Sequence, residues 1–184
     1  MRHEDIIISG FGGQGALFAG QLLAYAGLAE GLQVTWIPSY GPEMRGGTAN
    51  CTVVVSDEPI GSPVCMHPSI AIVFNNPSLE KYEPLVKPGG LLVVNQSLMV
   101  TPPARTDLEV VLIPATEAAT EMGQVRVANM ILFGALLARQ PLVRVEAVLA
   151  VLQDKLGARK AHLLAINRAA LERGAALAQA QPVE

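Results

Sequence analysis

Ile6-Ile7-Ile8-Ser9-Gly10-Phe11-Gly12-Gly13-Gln14-Gly15 reads as a strand running into a glycine turn. Three consecutive isoleucines ending at a polar residue and glycine suit a strand buried on both faces, as in a parallel sheet. After Gly15 a helix is predicted over about Ala16–Glu30, carrying Leu17, Phe18, Leu22, Leu23, Tyr25 and Leu28 with Ala or Gly at most other positions. A helix apolar nearly all round is covered on both sides, by the sheet on one and, as a candidate, a neighbouring subunit on the other. Gly10, Gly12 and Gly15 fit G-x-G-x-x-G, and the strand-to-helix context gives that spacing its meaning. Such glycines permit a tight turn and close backbone approach, and the helix start offers free N–H groups to an anion.

On pattern alone the ligand is NAD or FAD, but the second half of that fingerprint is missing. An acid should end the second strand, about 20 residues on, to bond a ribose hydroxyl. Here the strand ends Trp36-Ile37-Pro38-Ser39, and the next acid, Glu43, lies inside a loop rich in Pro and Gly. Three readings stay open: a dinucleotide site, a turn that only packs helix against strand, or a loop holding another phosphorylated ligand or a partner's backbone.

Further along, Gln33–Ile37 is expected as a strand halted by Pro38, and Thr48–Ser56 as a strand with Ala49, Cys51, Val53 and Val55 on one face. Their connection has no room for a crossover helix, so the pair is expected to be antiparallel or to flank a functional loop. Strands are expected at Ser69–Phe74, Leu91–Val94 and Glu109–Ile113, with a short helix from Pro77. Helices are expected at Val127–Arg139, at a stripe from Val145 to Leu156 closed by Gly157, and at about Lys160–Ala178. The expected fold is a single α/β domain over 1–184, a Rossmann-like three-layer sandwich with a mixed, mostly parallel sheet and a helical C-terminal third.

Composition narrows the function. Hydrophobic residues make up 51% and charged residues only 16%, so some apolar surface is expected to meet an obligate partner; a compact alanine-rich monomer is the alternative. A net charge of -3 gives no basic footprint for nucleic acid. Cys51 and Cys65, the only cysteines, cannot ligate a four-cysteine cluster or a structural zinc, and are expected to be buried free thiols. His3, His67 and His162 are scattered, so no metal site is assigned. With no secretory pattern and no apolar run of spanning length, the expected location is the cytoplasm, away from membranes.

The run Pro38-Ser39-Tyr40-Gly41-Pro42-Glu43-Met44-Arg45-Gly46-Gly47-Thr48-Ala49-Asn50-Cys51, joined to Gly10–Gly15, closely resembles the gamma subunit of 2-oxoacid:ferredoxin oxidoreductases. The likeness continues through Ser56–Pro63, Lys87-Pro88-Gly89-Gly90 and Asn129-Met130, and returns at Asn167, Ala170 and Gly174. It implies a complex in which a 2-oxoacid is decarboxylated on thiamine diphosphate with Mg2+, electrons leave through iron–sulfur clusters to ferredoxin, and coenzyme A takes the acyl group. The wording after Glu43 is most similar to the 2-oxoglutarate branch. The implied partners are alpha and beta subunits and a ferredoxin-like subunit. This chain lacks Gly-Asp-Gly followed by asparagine, the thiamine motif, so the cofactors fall to those other chains.

The candidate binding residues for coenzyme A are therefore Gly10, Gly12, Gly13, Gln14, Gly15, Ser39, Tyr40, Arg45, Gly46 and Gly47, and no catalytic residue is assigned. Arg45 reads either as a clamp on a coenzyme A phosphate or as an ion-pair partner of Glu43 or another chain. Tyr40 and Met44 read as contacts to a pantetheine arm or as packing. Asn129 is expected buried with its amide satisfied. Asn167, Ala170 and Gly174 share a helix face and suggest a close helix crossing. The competing function is a stand-alone Rossmann-like dinucleotide oxidoreductase.

Overall fold

The computed structural model describes residues 2–40 and 47–182. Its strands are β1 (His3–Phe11), β2 (Gln33–Tyr40), β3 (Thr48–Ser56), β4 (Ile70–Val73), β5 (Leu91–Asn95) and β6 (Glu109–Ile113). Its helices are α1 (Ala16–Ala29), α2 (Asn76–Tyr82), α3 (Ala115–Glu121), α4 (Ala128–Arg139), α5 (Val145–Leu156) and α6 (Leu163–Gln179). The strands form one sheet in the order β2-β3-β1-β4-β5-β6. β3 runs antiparallel to both neighbours, and β1, β4, β5 and β6 are parallel. The mixed, mostly parallel sheet and the helical last third are as the sequence predicts.

Period-two alternation sorts β1 between two cores. Ile6 and Ile8 face α1 and α4, while Ile7 faces α2 with Val73, Leu79 and Tyr82. Both faces are covered, which is why the isoleucines run without a polar break. From β1 the chain steps through α1 toward β2, and from β4 through α2 toward β5, in the opposite direction across the sheet. Right-handed crossovers taken in opposite directions place their helices on opposite faces. The layers are unequal: α1, α3, α4, α5 and α6 share one face and α2 the other.

Several expectations need correction. Pro38 does not halt the second strand; β2 continues to Tyr40 because it is the sheet edge, where a missing N–H need not break a ladder. The second cover of α1 is not reserved for a neighbouring subunit: α4 and α5 of the same chain pack on it, leaving Tyr25 and Leu28 exposed. The last helix starts at Leu163, after a 3-10 turn at Ala158–Lys160. Helix α3 went unforeseen, being one short segment whose only apolar signal is Ala115, Ala118 and Ala119. No helix among the described residues is long and apolar enough to cross a membrane.

The cysteines also differ from each other. Cys65 is only partly buried, against expectation, while Cys51 is fully buried on β3, 3.9 Å from the Ala16 carbonyl. Burial pushes the Cys51 thiol up from 9.0 to about 12. Because the folded state holds this proton more tightly than the unfolded chain, the contribution is complete below pH 9.0 and is lost as pH rises toward about 12. The unfolding free energy from urea denaturation should therefore fall more steeply above pH 9.0 in the wild type than in Cys51→Ala, by at most about 1.4 kcal/mol per pH unit. Parallel curves for the two proteins would remove the thiol from the account.

Candidate functional site

The glycine loop sits at the C-terminal ends of β1 and β4, where α1 and α2 depart to opposite faces, the crevice in which open α/β sheets hold ligands. Its shape comes from three constraints. A Cβ on Gly10 would lie 2.7 Å from Gln14 Oε1 and 2.9 Å from Phe74 Cβ, so the strand end admits no side chain. Gly13 and Gly15 have φ of +98° and +85°, the left-handed region that L side chains avoid. Gly15 also meets Asn129, whose Nδ2 donates to its carbonyl at 3.3 Å while its Oδ1 accepts from Met130 N at 2.9 Å. Asn129 is thus buried and satisfied, as expected, and braces the loop from α4.

Gln14 is engaged internally. Its Oε1 accepts from Phe11 N at 2.6 Å and from Asn75 Nδ2 at 3.0 Å, tying the loop to the end of β4. Gly12 N–H donates to Gly47 O at 2.9 Å, which ties the loop to the start of β3. The N–H groups of Ala16, Leu17 and Phe18 begin α1 and have no acceptor within the helix, so this end carries partial positive charge. No acidic side chain occupies that first turn.

A cleft of about 280 Å³ opens on one side of the loop, between Gly12, Gly13, Phe18, Tyr40, Gly47 and Thr48. It unites five predicted residues, Gly12, Gly13, Gly15, Tyr40 and Gly47, with the first turn of α1. A second cleft of about 190 Å³ lies on the other side, with Gln14, Phe74, Asn95, Thr116 and Arg126 on its walls. Gly10 packs beneath the loop, and Ser39 pairs with Asn50 in the sheet edge and lines neither cleft. Arg45 and Gly46, with Glu43 and Met44, lie outside the described residues.

Asn75, Asn95, Thr116 and Arg126 were missed. The two asparagines had a signal, a polar residue closing each apolar parallel strand at Phe74-Asn75 and Val94-Asn95. Asn75 also caps α2 by accepting from Ser78 N at 3.0 Å. Arg126 had none, because only the 3-10 turn at Val125–Val127 carries it to the cleft.

The geometry disfavours a dinucleotide. In a Rossmann unit the second strand lies beside the first, and its terminal acid reaches the ribose. Here β3 takes that place, and β2 lies one strand further out. Nor do the residues fit a metallocofactor: among those described, no three His, Cys, Asp or Glu side chains gather to hold a metal. Cys51 is enclosed beside α1, and Cys65 lies near Asp5 and Lys87, away from the loop.

Comparison with known proteins identifies the family. The profile described as Pyruvate ferredoxin/flavodoxin oxidoreductase matches residues 5–177. The 2-oxoglutarate synthase subunit KorC of Methanocaldococcus jannaschii is 34% identical over 90% of this chain and 91% of its own. The ketoisovalerate oxidoreductase subunit VorA of Methanothermobacter marburgensis is 40% identical over 74% of this chain, which spans only 28% of that longer protein. The gamma subunit of the keto/oxoacid ferredoxin oxidoreductase from Geobacter sulfurreducens superposes with a TM-score of 0.82 at 28% identity, covering 97% of this chain and 99% of that one. The 2-oxoglutarate:ferredoxin oxidoreductase of Magnetococcus marinus, solved with 2-oxoglutarate, coenzyme A and succinyl-CoA bound, reaches 0.91 at 27% identity over 100% of this chain and 32% of that one. A family profile matched over residues 5–177, with a gamma-subunit structure superposing over 97% of the chain, makes this protein a member of the pyruvate ferredoxin/flavodoxin oxidoreductase family, of the gamma-subunit type.

Proposed function

We propose that this chain is the gamma subunit of a cytoplasmic complex that converts 2-oxoglutarate, coenzyme A and oxidised ferredoxin to succinyl-CoA, CO2 and reduced ferredoxin, and that it contributes coenzyme A binding and assembly surface. The observation that carries the reading is the match to KorC over 91% of that subunit's length, so the likeness is to a whole subunit of this size. The open amides at the start of α1 and the clefts beside them suit a phosphorylated co-substrate. In this reading thiamine diphosphate with Mg2+ and the iron–sulfur clusters belong to the alpha, beta and ferredoxin-like subunits; two cysteines in this chain are too few for a four-cysteine cluster. One observation favours a second substrate: the higher identity, 40%, is to a ketoisovalerate oxidoreductase subunit.

The test is purification of the chain with its partner subunits and assay of ferredoxin reduction on each oxoacid. The complex should reduce ferredoxin with 2-oxoglutarate and coenzyme A, while the isolated chain should be colourless and inactive. Faster turnover of ketoisovalerate would move the substrate to the second reading. A cluster spectrum or oxoacid-dependent electron transfer from the isolated chain would sink the subunit reading altogether.

A further inference from the structure

We infer that Asn75 is the positioning residue of the glycine loop: it locks the Gln14 amide in one orientation and, through it, sets the backbone from Phe11 to Gly15 that coenzyme A meets. The inference rests on the proposed coenzyme A role and deepens it, naming a residue that acts on the site from behind. Residues 11 and 14 hold each other twice. Gln14 N donates to Phe11 O at 3.1 Å and Phe11 N donates to Gln14 Oε1 at 2.6 Å, with Gly12 and Gly13 in the turn between them. The second of these bonds depends on a long side chain with rotamer freedom to lose, so a further contact is needed to keep it in place. Asn75 supplies that contact, donating from Nδ2 to the same Oε1 at 3.0 Å.

Two backbone donors leave both amides a single orientation. Ser78 N can only donate, so Asn75 turns Oδ1 to it at 3.0 Å and Nδ2 to Gln14. Phe11 N can only donate, so Gln14 turns Oε1 to it, and both lone pairs of that oxygen are used. Ser78 is in turn held to β1, its Oγ 2.9 Å from Ser9 Oγ. The bonds therefore run from Ser9 on β1 through α2 and the end of β4 and return to β1 at Phe11. Ser9, Ser78 and Asn75 are all buried, so solvent competes little for these bonds. A loop held this way is ordered before its ligand arrives, and affinity gains because less order is lost on binding.

Asn75 also caps α2, and the test separates that role from positioning. Asn, Asp and Ser cap helices about equally well, so Asn75→Ser and Asn75→Asp both keep a capping side chain. Serine is too short to reach Gln14. Aspartate gives one oxygen to Ser78 N and sets the other against Gln14 Oε1, and Gln14 escapes only by turning its amide over and releasing Phe11 N. Hydrogen exchange of the Phe11 amide, measured on the full chain without ligand, should therefore speed up in Asn75→Ser and more so in Asn75→Asp. In the assembled complex Asn75→Ser should raise the coenzyme A KM by about twofold to tenfold, one hydrogen bond's worth, and Asn75→Asp by more. The kcat should stay near the wild type, because the loop grips ground state and transition state alike. In a Gln14→Met background neither substitution should raise the coenzyme A KM further. A rise that persists there means the new side chain acts without Gln14 and overturns the inference, as does faster Phe11 exchange beside an unchanged KM. Unchanged exchange in both variants overturns it as well. If the wild-type complex forms no coenzyme A thioester, the proposed function falls, and Phe11 exchange in the free chain still decides whether Asn75 sets the loop.

Discussion

Gly174→Ala should destabilise the fold by about 3 kcal/mol, although alanine is the better helix former by about 0.8–1.0 kcal/mol. The two effects have opposite signs, and the packing decides between them. Gly174 on α6 faces the Ile131 carbonyl of α4, and Gly134 on α4 faces the Leu171 carbonyl of α6. A Cβ at either position would fall well inside van der Waals contact with a backbone oxygen. No rotamer change moves a backbone carbonyl, so the helices must separate. Residues from Asn129 to Leu137 on α4 are all buried, so separation opens the core along the length of that helix. Overpacking typically costs about 1–3 kcal/mol, and a backbone clash belongs at the top of that range. Urea denaturation of Gly174→Ala, Gly134→Ala and the double variant measures it. The double should cost less than the sum of the singles, because one displaced helix relieves both contacts. A more stable Gly174→Ala would mean the helices do not cross this closely.

That crossing was partly legible. Asn167, Ala170 and Gly174 fall on one face at helical spacing, and small residues there point to close approach. The structure places Ala170 and Gly174 in the buried interface, while Asn167 turns its Nδ2 back to the Leu163 carbonyl at 2.7 Å. What the sequence could not supply is the partner, since Gly134 meets Leu171 only after β6 and α5 have set where α4 and α6 lie. The same limit explains Arg126 and Asn95. Periodicity reports which face of an element is buried; it does not report which strand ends become neighbours.

The glycine loop was legible as a strand-turn-helix element but not in its ligand class by motif alone. The acid missing after Ile37 has a counterpart in the topology, where the reversed β3 and not β2 lies beside β1. The short connection between the second and third strands left two readings, an antiparallel pair or a functional loop, and the register from Gln33↔Ser56 to Tyr40↔Ala49 shows the antiparallel pair. Pro38 misled because a proline reads as a strand stop unless the strand is known to be an edge.

Gly15→Ala should be more damaging than Gly13→Ala, although both positions lie in the left-handed region. Gly13 has open space where a Cβ would stand, so its alanine variant meets conformational strain alone, about 1–2 kcal/mol. At Gly15 the same strain is joined by a Cβ 2.5 Å from Asn129 Nδ2 and 2.9 Å from its Cγ. Asn129 is pinned by Met130 N and cannot simply swing aside, so the added overpacking is about 1–3 kcal/mol. The brace between α4 and the loop goes with it, and Gly12, Gly13 and the first turn of α1 lose their fixed relation to the clefts. In the assembled complex, Gly15→Ala should therefore raise the coenzyme A KM as well as lower the urea midpoint. Truncating the opposing side chain separates the causes. With Asn129→Ala as background, Gly15→Ala should cost little more than the strain seen at Gly13, because the obstructing amide is gone and only the residue-129 Cβ, 3.2 Å away, remains. If the two alanine variants are equally destabilised in the wild-type background, Asn129 does not press on the loop and its amide only satisfies itself.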